Sequence, residues 1–412
     1  MAILPNKKID IINDPVYGFI SIPYEIISKI IEHPYFQRLR RITQLGLTHM
    51  VYPGAKHTRF QHAIGATHLM QQAINTLRSK GQIITEEEAK AVSIAILLHD
   101  IGHGPYSHTL EHSIVEGVNH EDISDLFMDK LNDEFNGELN LAISIFRNQY
   151  HKKFLYQLVS SQLDMDRLDY LIRDSFFTGV SEGVVSTDRI IKMLTVVDDQ
   201  LAIEAKGIYS IEKFIIARRL MYWQVYLHKT VTSAEFLLIK IFHRARQLAS
   251  QGHQLFATPV LHNFLTNSFK KEDFLAQPTL LEDFAKLDDY DIMTSVKIWI
   301  SNKDFILSKL CEKLVNRNLL KIELQNSPFS LDKINNIRKS VAEKYSITPD
   351  ETNYFVFTDT ITNSAYNPKK DKINIRFKDG SVVDIAKAAD LLNISVLSEA
   401  VKKHFLCYPK KI

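Results

Sequence analysis

Histidine and aspartate stand side by side, as His99-Asp100, where an apolar run ends at Leu98. Glycine and proline follow within five residues and prevent a helix from continuing past the doublet. An adjacent histidine and aspartate can bind one divalent cation only if other segments supply the remaining ligands. The candidates for those ligands are His62 and Asp166.

Histidines are concentrated around this doublet. Eight of the 16 histidines lie in the 64 residues from His57 to His120, where an even distribution would place two or three. A single histidine is more often a surface or core residue than a functional one. A cluster of this density indicates a functional site, because imidazole both ligates metals and transfers protons near neutral pH.

Two histidines and two aspartates form a mixed nitrogen and oxygen ligand set that suits Mn, Fe, Zn, Mg or a similar divalent ion. Such a set leaves positions open for substrate and for a water whose lowered pKa makes it a hydrolytic nucleophile. Nearby cations would neutralise phosphates, and a further histidine would protonate a departing oxygen. The candidates are Arg59, Arg167 and Arg218 for the phosphates and His103, His108 or His120 for the proton. This inventory predicts metal-assisted phosphoester hydrolysis.

Apolar residues at helical spacing predict a mainly α fold that positions these groups. Helices are expected from about Tyr24, from Arg59 to Leu77, and from Glu86 to the His99-Asp100 doublet. From residue 211 onward, basic and aromatic residues are interleaved on a further helix. That pattern suits a nucleotide's phosphates and base, and it equally suits a helix that covers the domain surface.

The segment 156–176 places Asp166, Tyr170 and Asp174 at i, i+4 and i+8 of a helix, so the three side chains share one face. Two carboxylates and a phenol are costly to bury unless they bind something. The alternative is a solvated face with Arg167 and Arg173 as ion-pair partners. The cost of burying these groups makes a binding face the favoured interpretation.

β-structure is predicted only at the two ends of the chain. Residues 8–22 have the pattern of a short hairpin. Beyond residue 321, the segments 354–357, 373–377 and 381–385 alternate like strands, and Lys378-Asp379-Gly380 suits a hairpin turn. We therefore expect a helical part over residues 1–320 and a small α+β region over residues 321–412.

Composition limits the class of protein. The 412 residues are 45% apolar and 24% charged, with a net charge of +2 and no block of like charges that would favour nucleic acid. No apolar run approaches the length of a membrane span, and the N-terminus lacks a signal-peptide pattern. Cys311 and Cys407 fit no metal or redox spacing, so a reduced cytoplasmic setting is the simplest expectation.

Several separate blocks together resemble the HD-domain phosphohydrolases, and more narrowly the deoxynucleoside triphosphate (dNTP) triphosphohydrolases related to the human SAM-and-HD-domain enzyme. The resemblance extends from about Ile9 to Lys321, and no SAM domain precedes it. A bare His-Asp pair is a weak signal, whereas this ordered combination is a strong one. The blocks are Arg59–His62, Leu98–His108, Asn119–Glu121, Asp164–Tyr170 and Tyr226–Lys229.

The resemblance implies a mostly helical fold and cleavage of a dNTP into deoxynucleoside and triphosphate. It assigns one divalent ion to His62, His99, Asp100 and Asp166, which would activate water or polarise the α-phosphate. It assigns phosphate contacts to Arg59, His103, Arg167, Tyr170 and Arg218. It makes His108, supported by Glu111, the acid for the 5′ oxygen, and His120 a further catalytic histidine. The positions that match sugar and base contacts are Gln44, Leu45, Asp174 and Tyr226.

The same family uses nucleotides as activators at subunit interfaces. The resemblance therefore implies a GTP or dNTP activator and a homo-oligomer, either a dimer or a tetramer. Four residues depart from the family's usual ones, so the activator's identity and the base selectivity stay open: Asp10, Glu32, Arg167 and Leu227. The positions that match the regulatory sites are Gln37, Arg40, Arg189, Lys229, Arg317 and Lys321.

Two other functions compete with this one. An HD phosphohydrolase could act on another phosphorylated small molecule, such as a nucleoside monophosphate or an alarmone, although the number of cations argues for a polyphosphate. A nucleotide-binding sensor with a vestigial site would have lost a ligand or the acid, and the sequence retains both.

Overall fold

The computed structural model describes residues 10–363, 365–368, 371–389 and 400–411. The fold is mainly helical, as predicted. At the N-terminal end, β1 (Asp10–Asp14) and β2 (Gly18–Ile22) form an antiparallel hairpin, with Gly18 at a φ of +73° in its turn. The hairpin prediction is confirmed from residue 10 onward, and its first two residues lie outside the described part of the chain.

The helices that carry the candidate site occupy the first half of the chain. Capping boxes begin α3 at Thr58 and α4 at Thr85, and α4 ends at Leu98, directly before the His99-Asp100 doublet. The helix from Arg59 extends to Ser79, two residues beyond the predicted end. The bounds are α1 (Glu25–Glu32), α2 (Pro34–Gln37), α3 (Arg59–Ser79), α4 (Glu86–Leu98), α5 (Glu111–Ile114), α6 (His120–Glu134), α7 (Asn140–Phe146), α8 (Lys153–Val159), α9 (Met165–Thr178) and α10 (Thr187–Met193).

The centre of this half is a packing of α3 against both α4 and α9. The apolar run from Ala91 to Leu98 is buried throughout, so α4 is enclosed by its neighbours. In α3, Gly65 allows a close approach, because a Cβ there would lie 2.1 Å from side-chain atoms of Asp169 and Arg173 on α9. The metal-ligand candidates thus lie on elements fixed by the core.

The second half continues with helices that pack around α12. A π-helical turn, Tyr222–Tyr226, separates α11 from α12. α12 packs against α13 and α17. The bounds are α11 (Ile208–Met221), α12 (Lys229–Ser250), α13 (Pro259–Thr266), α14 (Lys271–Ala276), α15 (Pro278–Lys286), α16 (Asp289–Trp299), α17 (Phe305–Val315), α18 (Leu331–Tyr345) and α19 (Ile385–Ala388).

Two small sheets involve the C-terminal region. One has the order β3-β4-β7-β8, with β4 and β7 parallel, and the other has the order β5-β9-β6. Residues beyond 370 therefore pair with strands from the middle of the chain, and the division at residue 320 stays a prediction. The bounds are β3 (Leu194–Val197), β4 (Gln200–Glu204), β5 (Lys321–Gln325), β6 (Phe357–Asn363), β7 (Asn374–Arg376), β8 (Val382–Asp384) and β9 (Val401–Tyr408).

The strand predictions for this region were right in part. The hairpin turn between β7 and β8 is confirmed, with Gly380 at a φ of +88°. The strand predicted from Tyr354 was wrong at its start, because Glu351–Tyr354 forms a 3-10 turn and β6 begins at Phe357. Reciprocal hydrogen bonds between Thr348 and Glu351 stabilise that turn locally. Among the described residues, no helix combines the length and apolarity that crossing a membrane requires.

Candidate metal centre and active site

The four predicted metal ligands come together from three helices. His62 lies on α3, His99 and Asp100 directly follow α4, and Asp166 is the second residue of α9. Asp166 Oδ1 lies 3.1 Å from His62 Nε2 and 3.4 Å from His99 Nε2. Asp100 lies on the other side, with Oδ1 3.3 Å from His99 Nε2 and Oδ2 3.8 Å from His62 Nε2.

The geometry of the two imidazoles fits a cation. His99 Nδ1 lies 2.6 Å from the carbonyl oxygen of Ile96, and because a carbonyl only accepts, that nitrogen carries the proton. His62 Nδ1 likewise donates to Asp169 Oδ2 at 2.7 Å. In the neutral rings, both Nε2 atoms therefore present lone pairs to the same point, and both atoms are buried without a hydrogen-bond partner. Ligand atoms of His62, His99 and Asp166 all lie within 4.8 Å of one another.

The charges around this point favour a positive group. Burial lowers the pKa of His62, but Asp166 and Asp169 outweigh that effect and raise it to about 10. In return, His62 and His99 hold the pKa of Asp166 well below its usual range despite burial. Coordination by a divalent cation would satisfy the same electrostatic demand as a proton.

Two residues of α9 that the sequence analysis did not assign to the site support His62. Asp169 accepts from His62 and forms a two-pronged ion pair with Arg173, at 2.9 Å and 3.0 Å. Both residues are fully buried. Arg173 is thus part of a buried network, and the alternative of a solvated face does not apply to it. The spacing of Asp169 from Asp166, three residues along one helix, is a signal that could have identified it.

Arg59, one helical turn before His62 on α3, lies beside the ligands. Its Nη1 donates to Asp100 Oδ2 at 2.6 Å, and its Nε donates to the Ser107 hydroxyl at 3.0 Å. The guanidinium is almost fully buried. A substrate phosphate at the metal site would therefore meet a cation that is already held in place.

The loop between α4 and α6 brings the predicted proton-handling residues together. The rings of His103 and His120 stack with centroids 3.8 Å apart. Glu111 accepts from both the backbone N–H and Nδ1 of His120 at 2.6 Å, whereas it lies 4.0 Å from Nδ1 of His108. Despite burial, these hydrogen bonds lower the pKa of Glu111 to about 2. Glu111 therefore orients His120 more directly than His108, the residue that the family resemblance pairs with it.

The backbone of this loop is strained where it carries His108. Tyr106 and His108 have φ values of 44° and 62°, a conformation that is uncommon for residues other than glycine. The Tyr106 N–H donates to Asp289 at 2.8 Å. Arg38, fully buried, donates to the carbonyls of Ile101 and His103. The local sequence pattern around Arg38 does not indicate this role.

Two of the arginines predicted to contact the phosphates, Arg167 and Arg218, are held by hydrogen bonds to backbone carbonyls. Arg167 Nε donates to the Ser161 carbonyl at 2.6 Å and faces a polar cleft of about 460 Å³ that Gln162 also lines. Arg218 Nη1 donates to Gln162 at 3.2 Å and to the Ala365 carbonyl at 3.3 Å. The chain beyond residue 364 therefore reaches the candidate substrate site, a contact that the sequence analysis did not foresee.

Two of the residues predicted to hold the sugar and base, Asp174 and Tyr226, are joined by a hydrogen bond. Asp174 accepts from His57 Nε2 and from the Tyr226 hydroxyl, each at 2.7 Å. Tyr226 packs edge-on to Tyr170, at 6.1 Å between ring centroids. Gln44 has a buried amide oxygen without a hydrogen-bond partner, and Leu45 packs against the core beside it.

The residues predicted for activator binding make local contacts. Arg40 lies over the Phe60 ring at 3.6 Å, bonds to Gln37 and lines a cleft of about 310 Å³ beside β1. Arg189 donates to the carbonyl of Lys206, and Arg317 to the carbonyl of Met50. Lys229 begins α12, and Lys321 pairs with Glu323 on β5.

The fold and this site define a class of protein. Residues 59–174 match the HD domain, and residues 185–254 match the HD-associated region. The chain is 30% identical to the uncharacterised protein YwfO of Bacillus subtilis, over 99% of this chain and 94% of that protein. The chain belongs to the HD-domain phosphohydrolase family.

Two further relatives refine the comparison. A crystal structure of a phosphohydrolase from Bacteroides thetaiotaomicron matches with a TM-score of 0.94 and 55% identity, covering 97% of this chain and 100% of that one. The Dictyostelium discoideum homologue of the dNTP triphosphohydrolase SAMHD1 is 33% identical over 60% of this chain and 52% of its own length.

Proposed function

We propose that this protein hydrolyses deoxynucleoside triphosphates to deoxynucleoside and inorganic triphosphate with one divalent cation. The observation that carries the proposal is the pair of buried, unpartnered Nε2 atoms of His62 and His99, which face Asp166 beside the Arg59 guanidinium. A cation site next to a guanidinium suits an anionic substrate, because one phosphate can contact both. Relatives named as dNTP triphosphohydrolases support this substrate class.

Each group in the proposal has a physical role. His62, His99, Asp100 and Asp166 would hold the ion, which supplies an activated water and polarises a phosphoryl oxygen when bound. The polar groups around the ion would bind the phosphate chain, and the cations among them would offset its charge. Those groups are Arg59, His103, Arg167, Tyr170 and Arg218 for the phosphates and Gln44, Leu45, Asp174 and Tyr226 for the sugar and base.

The departing 5′ oxygen needs a proton donor. We assign this role to His108, whose side chain is 66% exposed and can exchange its proton with solvent. His120, held by Glu111, is the second proton-handling group. The stacked His103 would contact the phosphate that carries the leaving oxygen.

Regulation is part of the same proposal. A GTP or dNTP activator would bind at subunit interfaces of a cytoplasmic homodimer or homotetramer. The cleft between β1 and Arg40 has the size of a small ligand and an accessible cation, which supports this assignment. Gln37, Arg189, Lys229, Arg317 and Lys321 would complete the regulatory sites.

The test is product analysis. The purified protein is incubated with each dNTP and Mn²⁺ or Mg²⁺, alone and with a second nucleotide, and the products are separated by ion-exchange chromatography. Deoxynucleoside plus free triphosphate, absent with Asp166→Ala, is the expected result, and a requirement for the second nucleotide would demonstrate activation.

Other products would overturn the substrate assignment. Orthophosphate or diphosphate would indicate cleavage within the phosphate chain. Hydrolysis of a nucleoside monophosphate or an alarmone, without reaction of any dNTP, would favour another HD phosphohydrolase. Nucleotide binding without turnover under every pairing would favour a sensor.

A further inference from the structure

We propose that Asp14, on the N-terminal hairpin, is a positioning residue for the metal ligand His62 and tunes the affinity of the site for its cation. This inference rests on the proposed metal centre. The two residues are connected by a continuous series of buried charged groups, His62, Asp169, Arg173 and Asp14, which are 0%, 0%, 0% and 4% exposed. The hairpin is therefore joined to a metal ligand through side chains rather than through general packing.

Arg173 bridges two carboxylates in this series. It contacts Asp169 at 2.9 Å and 3.0 Å, and it contacts Asp14 at 2.7 Å and 3.3 Å. Two-pronged contacts on both sides fix the plane of the guanidinium. Asp169 Oδ2, the atom that Arg173 Nε contacts, is also the acceptor of the His62 Nδ1 proton. Any shift of Arg173 therefore changes the hydrogen bond that orients His62.

The fold leaves room for this bridge. Gly65, one helical turn from His62 on α3, has no side chain at the point where a Cβ would lie 2.1 Å from both Arg173 Nη2 and Asp169 Oδ1. On the other side, the Tyr17 ring covers the guanidinium at 5.5 Å. The ion pairs are thus shielded from water, which keeps their electrostatic effect strong.

The negative charge of Asp14 explains how this residue affects His62 without contacting it. A hydrogen-bonded carboxylate makes a ligating imidazole more basic and fixes its orientation. If Arg173 lacked the second carboxylate, its full positive charge would act on Asp169 and weaken the donation of electron density through His62. Asp14 offsets that charge, so that Asp169 remains an effective partner for the imidazole.

The substitution Asp14→Asn tests this role with little damage to the hairpin. Asp14 Oδ1 accepts from the backbone N–H groups of Val16 and Tyr17, at 2.9 Å and 3.0 Å, and an asparagine oxygen can do the same. The amide would, however, remove the charge and present a donor to Arg173. The matched control is Asp133→Asn, the same chemical change at an exposed residue near the end of α6.

The probe is the metal alone. Mn²⁺ is titrated into metal-free protein by calorimetry, the visible spectrum of bound Co²⁺ reports the ligand geometry, and thermal unfolding of the metal-free protein is measured separately. We expect Asp14→Asn to weaken Mn²⁺ binding by about 10-fold and to shift the Co²⁺ bands, whereas Asp133→Asn does neither. Asp14→Glu, which restores the charge, should recover part of the affinity.

The outcomes are distinguishable. If the wild-type protein binds neither ion, the proposed metal centre is overturned. If the wild type binds but Asp14→Asn shows unchanged affinity and spectrum, the role of Asp14 is overturned, even if the variant melts at a lower temperature. Should Asp14→Asn fail to fold, Arg173→Lys examines the same bridge, since lysine keeps the charge but cannot contact both carboxylates in a plane. Unchanged affinity in that variant would also contradict the proposal.

Discussion

The candidate site has two halves that are built differently. One half, on α3 and α9, holds His62 through a buried hydrogen bond to Asp169 on the neighbouring helix, and Asp169 is fixed by an ion pair with Arg173 within α9. The other half, the loop from His103 to His120, holds its histidines through strained backbone, ring stacking and one carboxylate. Metal ligands need a fixed geometry, whereas groups that exchange protons need access to substrate and solvent. The division follows those two requirements.

The same residue type is tuned in opposite directions in the two halves. Although burial opposes it, Asp166 and Asp169 raise the pKa of His62 to about 10. Burial and the nearby Arg59 guanidinium hold the pKa of His103 well below its usual range. The helix half is therefore prepared for positive charge, and the loop half presents a neutral imidazole next to it. Such a separation is typical of sites that assign different roles to similar groups.

The largest expected effect is in the helix half. Asp166→Ala removes the carboxylate that lies close to both imidazole Nε2 atoms. We expect hydrolysis to fall by about 1,000-fold, because metal chemistry supplies several kcal/mol of transition-state stabilisation. Mn²⁺ binding should be lost in parallel, as calorimetry would show. Asp133→Ala is the control, and retained metal binding in Asp166→Ala would contradict the assignment.

In the loop half, we expect His120→Asn to lower kcat by about 100-fold without changing Mn²⁺ affinity, since a positioned acid or base contributes this much. Glu111 bonds to His120 and lies farther from His108, so it should act mainly through His120. A double-mutant cycle on kcat tests whether Glu111 acts through His120 or through His108. Glu111→Gln should be non-additive with His120→Asn and additive with His108→Asn. The reverse pattern would make Glu111 the partner of His108.

The tight packing of the helix half predicts a loss of stability in Gly65→Ala. The new methyl group would meet Arg173 and Asp169, so we expect unfolding to become easier by about 1–3 kcal/mol, the usual cost of overpacking. The sign of the change in the free energy of unfolding is diagnostic, because replacing glycine by alanine within an unobstructed helix stabilises a protein by about 0.5–1 kcal/mol. Urea denaturation of the metal-free protein measures the difference. A stabilised variant would show that the Arg173 bridge is not held tightly.

The two halves also differ in how far sequence could predict them. The ligands His62, His99, Asp100 and Asp166 carry local signals, namely a doublet at a helix end and helical spacing. The pair formed by Asp14 and Arg173 spans 159 residues, and nothing near either residue marks it. Tertiary contacts of this kind depend on how α9 and the hairpin pack, which periodicity does not determine.

The loop half shows the same limit in another form. Histidine density predicted that His103, His108 and His120 belong to one site, and their rings do lie together. The backbone of the same loop is left-handed at Tyr106 and His108, and side-chain spacing carries no information about that conformation or about the hydrogen bond from His120 to Glu111. The helical fold was predictable for a simpler reason, since apolar periodicity records which face of each helix is buried.

A smaller effect is expected in the loop half, where one buried carboxyl should make the stability of the protein depend on pH. Glu235 on α12 contacts Thr109 of the loop, and burial raises the pKa of its carboxyl from 4.5 to about 8. The folded state therefore binds more protons than the unfolded state between these two values, so stability should decline as pH rises from about 4.5 to about 8. Glu235→Gln keeps an acceptor for Thr109 and should flatten this decline. Urea denaturation at several pH values measures both slopes, and equal slopes would show that Glu235 does not titrate in this window. Because α12 packs against α5 within this loop, a flattened slope would show that the contact between α12 and the loop half depends on pH.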